Sequence, residues 1–245
     1  MSASRSRIAN RHMNLMSVIL FVACLLLLSG NTVFAVPYLQ LDAHPASYVD
    51  GGEQSIVTTD LQFTLYALVN SESPDAPDPF VGGTFWLSIA VIPDPGESDP
   101  GPDLGTYDFD GVTFDVVGNM TYGTPPIEAY MKSMNLPSHG VFETYYREFS
   151  FPLDLSKKAV LYNSQDTPGG LVPDSNGSLY YEDFLVDASG MDSGYFLHFD
   201  LYTKDDGIDK FAPFSHDVTH TPVPGAVMLG ILGLGVAGWK LRKFA

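Results

Sequence analysis

The chain predicts an all-β fold: a single β-sandwich or jelly-roll domain, flanked by an N-terminal signal peptide and a C-terminal transmembrane helix. Three observations carry this. Several short runs alternate apolar and polar residues with period two, as strands with one buried face do. Gly, Pro, Asn and Asp punctuate the intervals between them. All 29 acidic residues lie between Asp42 and Asp217, with an apolar, basic-flanked segment on either side.

The first segment, residues 1–35, reads as a secretory signal. Arg5, Arg7, Arg11 and His12 form a basic start. Leu15 to Leu28 is apolar apart from Ser17. Val33-Phe34-Ala35 places short residues at the −3 and −1 positions of a cleavage site after Ala35. The alternative is an anchor that is never cut. Cys24 is the only cysteine, and four leucines follow it, so it does not stand where a lipoprotein cysteine stands. A mature chain starting at Val36 has no cysteine, hence no disulfide, zinc–thiolate site or thiol nucleophile. Its stability has to come from an apolar core, which a domain of this length can build.

Residues 36–220 form the body. Leu61 to Val69 is apolar at nearly every odd position, and Phe85 to Ile92 on its odd face. Val112 to Val116 and Tyr195 to Tyr202 alternate cleanly. Tyr38 to Leu41, Phe142 to Phe151 and Leu179 to Asp187 are further strands. β-Branched and aromatic residues dominate all of them. Asp50-Gly51-Gly52, Asp110-Gly111, Asn176-Gly177 and Asp206-Gly207 mark turns. Pro93 to Gly105, with four prolines and four acids, reads as an exposed loop. Ile127 to Met134 and Ser156 to Tyr162 are expected to be short helices.

The last segment, residues 221–245, has three physical parts. Pro222 and Pro224 give a stiff extended entry. Ala226 to Trp239 is apolar and Gly-rich, near the lower limit of the ~20 residues that usually span a bilayer. Lys240, Arg242 and Lys243 then favour the cytoplasmic side, with Trp239 at the interface.

The body carries six basic residues against all 29 acids, a formal charge of −23, against −17 for the whole chain. A surface so acidic repels phosphate, which excludes nucleic acid as the default partner. Aromatic residues make up 13%, too many for a disordered acidic tail.

Pro222-Val223-Pro224-Gly225, the Gly-rich stretch and the basic end together resemble the PEP-CTERM family of bacterial sorting tails. Val223 stands where the usual motif has glutamate. The resemblance implies recognition by an exosortase-type membrane protease, removal of the tail, and delivery to the cell surface or polysaccharide matrix. The export translocon and the membrane would be the other partners. The alternative is a permanent anchor.

The body is similar to the choice-of-anchor N family of secreted bacterial proteins. Four stretches carry the likeness: Leu136 to Tyr145, Asn163 to Gly170, His198 to Tyr202, and Phe211 to Asp217. The resemblance implies export and anchoring. It implies no activity and no catalytic residues.

Chemistry is sparsely signalled. Acidic clusters at Asp94, Glu97, Asp99 and Asp103, at Asp108 and Asp110, and at Asp205, Asp206 and Asp209 are candidate calcium loops, or simply solvated acids. Asp205-Asp206-Gly207-Ile208-Asp209 lacks the closing Glu of a calcium-binding helix–loop–helix. His216 and His220 stand four apart with Asp217 between them. His198 and Asp200 share a strand face and suit a metal, a sugar, or merely a polar surface. Tyr145, Tyr146, Tyr180 and Tyr181 are candidate sugar platforms, although adjacent strand residues point to opposite faces. No Gly-x-Ser-x-Gly, His-Glu-x-x-His or P-loop occurs. The expectation is an exported, non-enzymatic surface or matrix protein. The alternatives are a carbohydrate-binding or adhesive module, with or without calcium, and, behind it, a secreted hydrolase.

Overall fold

The computed structural model describes residues 36–49, 55–93, 104–136, 143–192 and 194–221. The expected signal with Ala35, the loop acids Asp94, Glu97, Asp99 and Asp103, the motif Pro222-Val223-Pro224-Gly225, and Lys240, Arg242 and Lys243 lie outside them. Among the described residues no helix is long and apolar enough to cross a membrane.

The described chain is mostly β and forms two sheets. The first contains β1 (Leu39–His44), β4 (Gln62–Asn70), β11 (Leu179–Asp187), β6 (Thr106–Phe109) and β7 (Val112–Asp115), in that spatial order, with β10 (Lys158–Ala159) also on β11. The second runs β2 (Ser47–Val49), β3 (Ser55–Thr58), β14 (Val218–His220), β12 (Tyr195–Lys204), β5 (Thr84–Pro93), β9 (Thr144–Pro152) and β8 (Thr121–Gly123), with β13 (Ile208–Phe211) also on β12. Every strand pair is antiparallel except β14 with β3.

Alternation decides which residues meet. Leu39, Leu41 and Ala43 of β1, with Phe63, Leu65 and Val69 of β4, face one core. Phe85, Leu87, Ile89 and Val91 of β5, and Leu197, Phe199 and Leu201 of β12, face the same core from the other sheet. Phe63 meets Phe199 edge-on across it, 5.9 Å between centroids. Each fully buried side chain of this size contributes about 1.5–3 kcal/mol, which is how a body without disulfides holds together.

The turn signals act as local chemistry requires. Asp110 and Gly111 have φ of 51° and 78°, so the β6–β7 hairpin closes on a left-handed two-residue turn. Asp115 caps the single helical turn α1 (Val116–Asn119) by accepting from the Gly118 amide at 2.5 Å. The expected helix over Ile127 to Met134 is present as α2 (Pro126–Ser133), which presents Ile127 and Met131 to Tyr202 on the outer face of the second sheet.

The expected helix over Ser156 to Tyr162 does not form. Lys158 and Ala159 instead pair with Tyr180 and Leu179 at the edge of β11. Ala159 is fully buried beside Leu68 and Leu179, so tertiary packing overrides a weak helical preference.

Candidate functional site

The outward side chains of β12 alternate with its core residues, so His198, Asp200 and Tyr202 share the outer face of the second sheet. On β14, Val218 enters the core and Thr219 points outward beside His198, its register partner. Asp217 precedes β14, at the end of a 3₁₀ turn (Phe214–His216). Its carbonyl accepts from the Ile56 amide of β3 at 3.1 Å. Three strands thereby bring together residues far apart in sequence.

His198, Asp200 and Asp217 are 4%, 5% and 2% exposed, unusual for polar groups on an outer face. Nε2 of His198 lies 3.3 Å from Asp200 Oδ1 and 3.8 Å from Asp217 Oδ2. Its Nδ1 lies 3.0 Å from Thr219 Oγ1. Ser55 Oγ donates to Asp217 Oδ1 at 2.5 Å and lies 3.3 Å from Thr219 Oγ1. Three atoms of metal-ligating type lie within 4.8 Å of one another.

A second buried polar centre sits on the outer face of β1. Asp42 accepts from Tyr162 Oη at 2.6 Å and from the Gly169 and Ala43 amides at 2.8 Å. Gln40 accepts from the Ser164 amide at 3.0 Å and donates to the Tyr162 carbonyl at 3.0 Å. Burial pushes the Asp42 carboxyl above its ordinary pKa, and these bonds pull it back only in part. Residues 162–169 are thus strapped down by two side chains of one strand. Asn163 ties the strap to the residue before Asp217: its Oδ1 lies 2.9 Å from His216 Nε2.

The other predicted residues separate. His216 and His220 do not face a common ligand. The His216 ring bonds Asn163 and Ser215, and the His220 ring stacks on Phe63 inside the core. Burial holds both well below the ordinary imidazole value, at about 4. Asp205 and Asp206 are exposed in the β12–β13 turn and Asp209 is exposed on β13, and their carboxylates do not converge as a group of three. Asp110 occupies the β6–β7 turn. Tyr180 and Tyr145 pack against the core, while Tyr181 turns outward against Tyr66.

Asp108 lines a shallow groove of about 410 Å³ on the first sheet, with His44, Gln62, Thr64, Leu185 and Asp187. None of the four tyrosines lines it.

No family model, curated protein or solved structure matches this chain.

His198 and Asp200 are legible in the sequence as a pair on one strand face, and Asp217 only as the residue between His216 and His220; Ser55, Thr219, Asp42 and Asn163 are not legible as site residues. Their only signal was a polar residue at an outward position of a strand or a loop, which marks a solvated face as readily as a buried contact.

Proposed function

We propose that this chain is an exported, non-enzymatic surface or extracellular-matrix protein of a bacterium. Its body is a β-sandwich, and a PEP-CTERM-like tail directs its sorting and its cleavage by an exosortase-type protease. The observation that carries this reading is the make-up of the chain after β14: Pro222-Val223-Pro224-Gly225, a Gly-rich apolar stretch and the basic Lys240, Arg242 and Lys243. The Thr221 amide donates to the Thr58 carbonyl at 2.9 Å, the last bond of the described body, and the next residue is Pro222 of the sorting motif.

The strongly acidic body, residues 36–220, which holds no cysteine, supports the same reading. Such a body stays soluble outside the cell and needs no oxidative folding. The test is cell fractionation with an accessible epitope tag after Val36. The full chain is expected at the surface or in the matrix, and deletion of residues 2–35 is expected to hold it in the cytoplasm. Surface exposure without that segment would contradict export through it.

A second reading, a carbohydrate-binding module, draws on the groove. Gln62, Thr64, Asp108 and Asp187 offer sugar-type hydrogen bonds around an exposed Leu185. Glycan-array binding that Asp108→Ala and Asp187→Ala abolish would support it. Absence of binding, with and without calcium, would remove it.

A further inference from the structure

We propose that His198, Asp200 and Asp217 hold a structural divalent transition-metal ion of the zinc class, an ion that ties the closing strand β14 into the second sheet.

The hydrogen-bond chain behind the ligands is the first argument. The Asp217 carboxylate only accepts, so Ser55 spends its single hydroxyl proton on Asp217 Oδ1. Ser55 Oγ then accepts from Thr219, and Thr219 Oγ1 accepts from His198 Nδ1–H. This order is assigned from the network rather than seen as hydrogens. It leaves Nε2 as the ring's lone-pair atom, turned toward Asp200 Oδ1 and Asp217 Oδ2. His198 Nε2 and one carboxylate oxygen each of Asp200 and Asp217 thus form a buried donor set of one nitrogen and two oxygens within 4.8 Å of one another, a set that a single cation can bridge.

Distance separates a metal from a proton there. A proton on Nε2 would make a charge-assisted bond, which runs at about 2.7–2.9 Å. The observed separations are 3.3 and 3.8 Å. Ligands about 2.0–2.2 Å from a tetrahedral ion stand about 3.4 Å apart; the two separations from His198 bracket that value, and the Asp200 and Asp217 oxygens lie within 4.8 Å of each other.

The ligand set selects the class. Calcium takes six to eight oxygens, whereas one imidazole with two carboxylates suits zinc or a neighbouring transition ion. The hydroxyl of Thr219 on Nδ1 and that of Ser55 on Asp217 hold the ligands from behind, as polar partners around metal ligands do. Three protein ligands would leave the fourth position of a tetrahedron to a solvent oxygen, and near-complete burial of the ligands keeps a substrate away from it, which favours a structural ion. The ligands come from β12 and from the residue before β14, so the ion would join the last strand of the body to the sheet's centre.

The test uses the full chain in detergent, stripped by chelator and re-equilibrated with zinc or calcium. Metal content by mass spectrometry is expected at one zinc per chain. Chelation is expected to lower Tm, with zinc restoring it and calcium not. His198→Gln, Asp200→Asn and Asp217→Asn are expected to lose the zinc, whereas His44→Gln keeps it. Thr219→Val is expected to keep the one-to-one ratio with affinity about 10–100-fold weaker. The chelation arm uses the unaltered protein, so it decides even where a variant does not fold. No bound zinc with an unmoved Tm would overturn the proposal, and an imidazolium signal from His198 at neutral pH would replace it with an ion triad. Zinc retained by all three ligand variants would place the ion elsewhere and overturn it equally.

Discussion

The His220 ring lies nearly parallel to that of Phe63, with centroids 5.6 Å apart and planes 11° apart, and neither of its nitrogens has a hydrogen-bond partner among the described residues. It is a titratable group set into the core beside the exit to the tail. Burial lowers its pKa from 6.5 to about 4, with Asp60 opposing weakly. The unfolded chain therefore binds a proton that the folded chain refuses between those values. Stability present above pH 6.5 falls as pH drops toward 4. At pH 5 the loss from this ring is about 2 kcal/mol. His220→Phe keeps the stack, removes two buried polar atoms, and is expected to raise stability at pH 7 by about 1 kcal/mol. Its advantage grows at pH 5. Urea midpoints at the two pH values measure this, and an equal gain at both would contradict it.

Tyr162 tests the strap over β1. Tyr162→Phe deletes the phenol that donates to Asp42 and leaves the backbone bonds in place. The expected cost is about 1–3 kcal/mol at pH 7. The bond favours the charged carboxylate, so the folded pKa of Asp42 rises further in the variant. The extra cost is full above the variant's folded pKa and disappears below the wild-type folded pKa, itself above 3.8, where Asp42 is protonated in both folded proteins. A cost that does not change with pH would assign the loss to packing alone.

Gly105 tests the close approach of two loops. Its φ is +79°, and a Cβ there would stand 2.2 Å from the Gly190 carbonyl oxygen. Gly105→Ala combines a left-handed backbone with a clash against main chain. It is expected to cost about 2–4 kcal/mol by chemical denaturation. A loss below about 0.5 kcal/mol would mean the loops part easily.

The fold was legible where burial is one-sided. Leu61 to Val69 and Phe85 to Ile92 announce strands because their apolar positions alternate, and β4 and β5 cover them apart from Leu61. Ser55–Thr58 and Val218–His220 are too short to show a period, so the parallel pair that closes the second sheet was not foreseen. Ser156 to Tyr162 misled because Lys and Ala favour helix locally, while Ala159 is claimed by a distant strand. The site was half legible. His198 and Asp200, two apart on one strand, declare a shared face. Ser55 meets Asp217 across 162 positions, and no spacing rule spans that gap.

Export and processing together are the central claim, and intact-mass spectrometry of the protein recovered from the cell surface tests both ends at once. The expected mass corresponds to an N-terminus at Val36 and a C-terminus that lacks Lys240 to Ala245. A surface protein that still carries the Lys240–Ala245 end would contradict removal of the tail, and one that still begins at Met1 would contradict the cleaved signal.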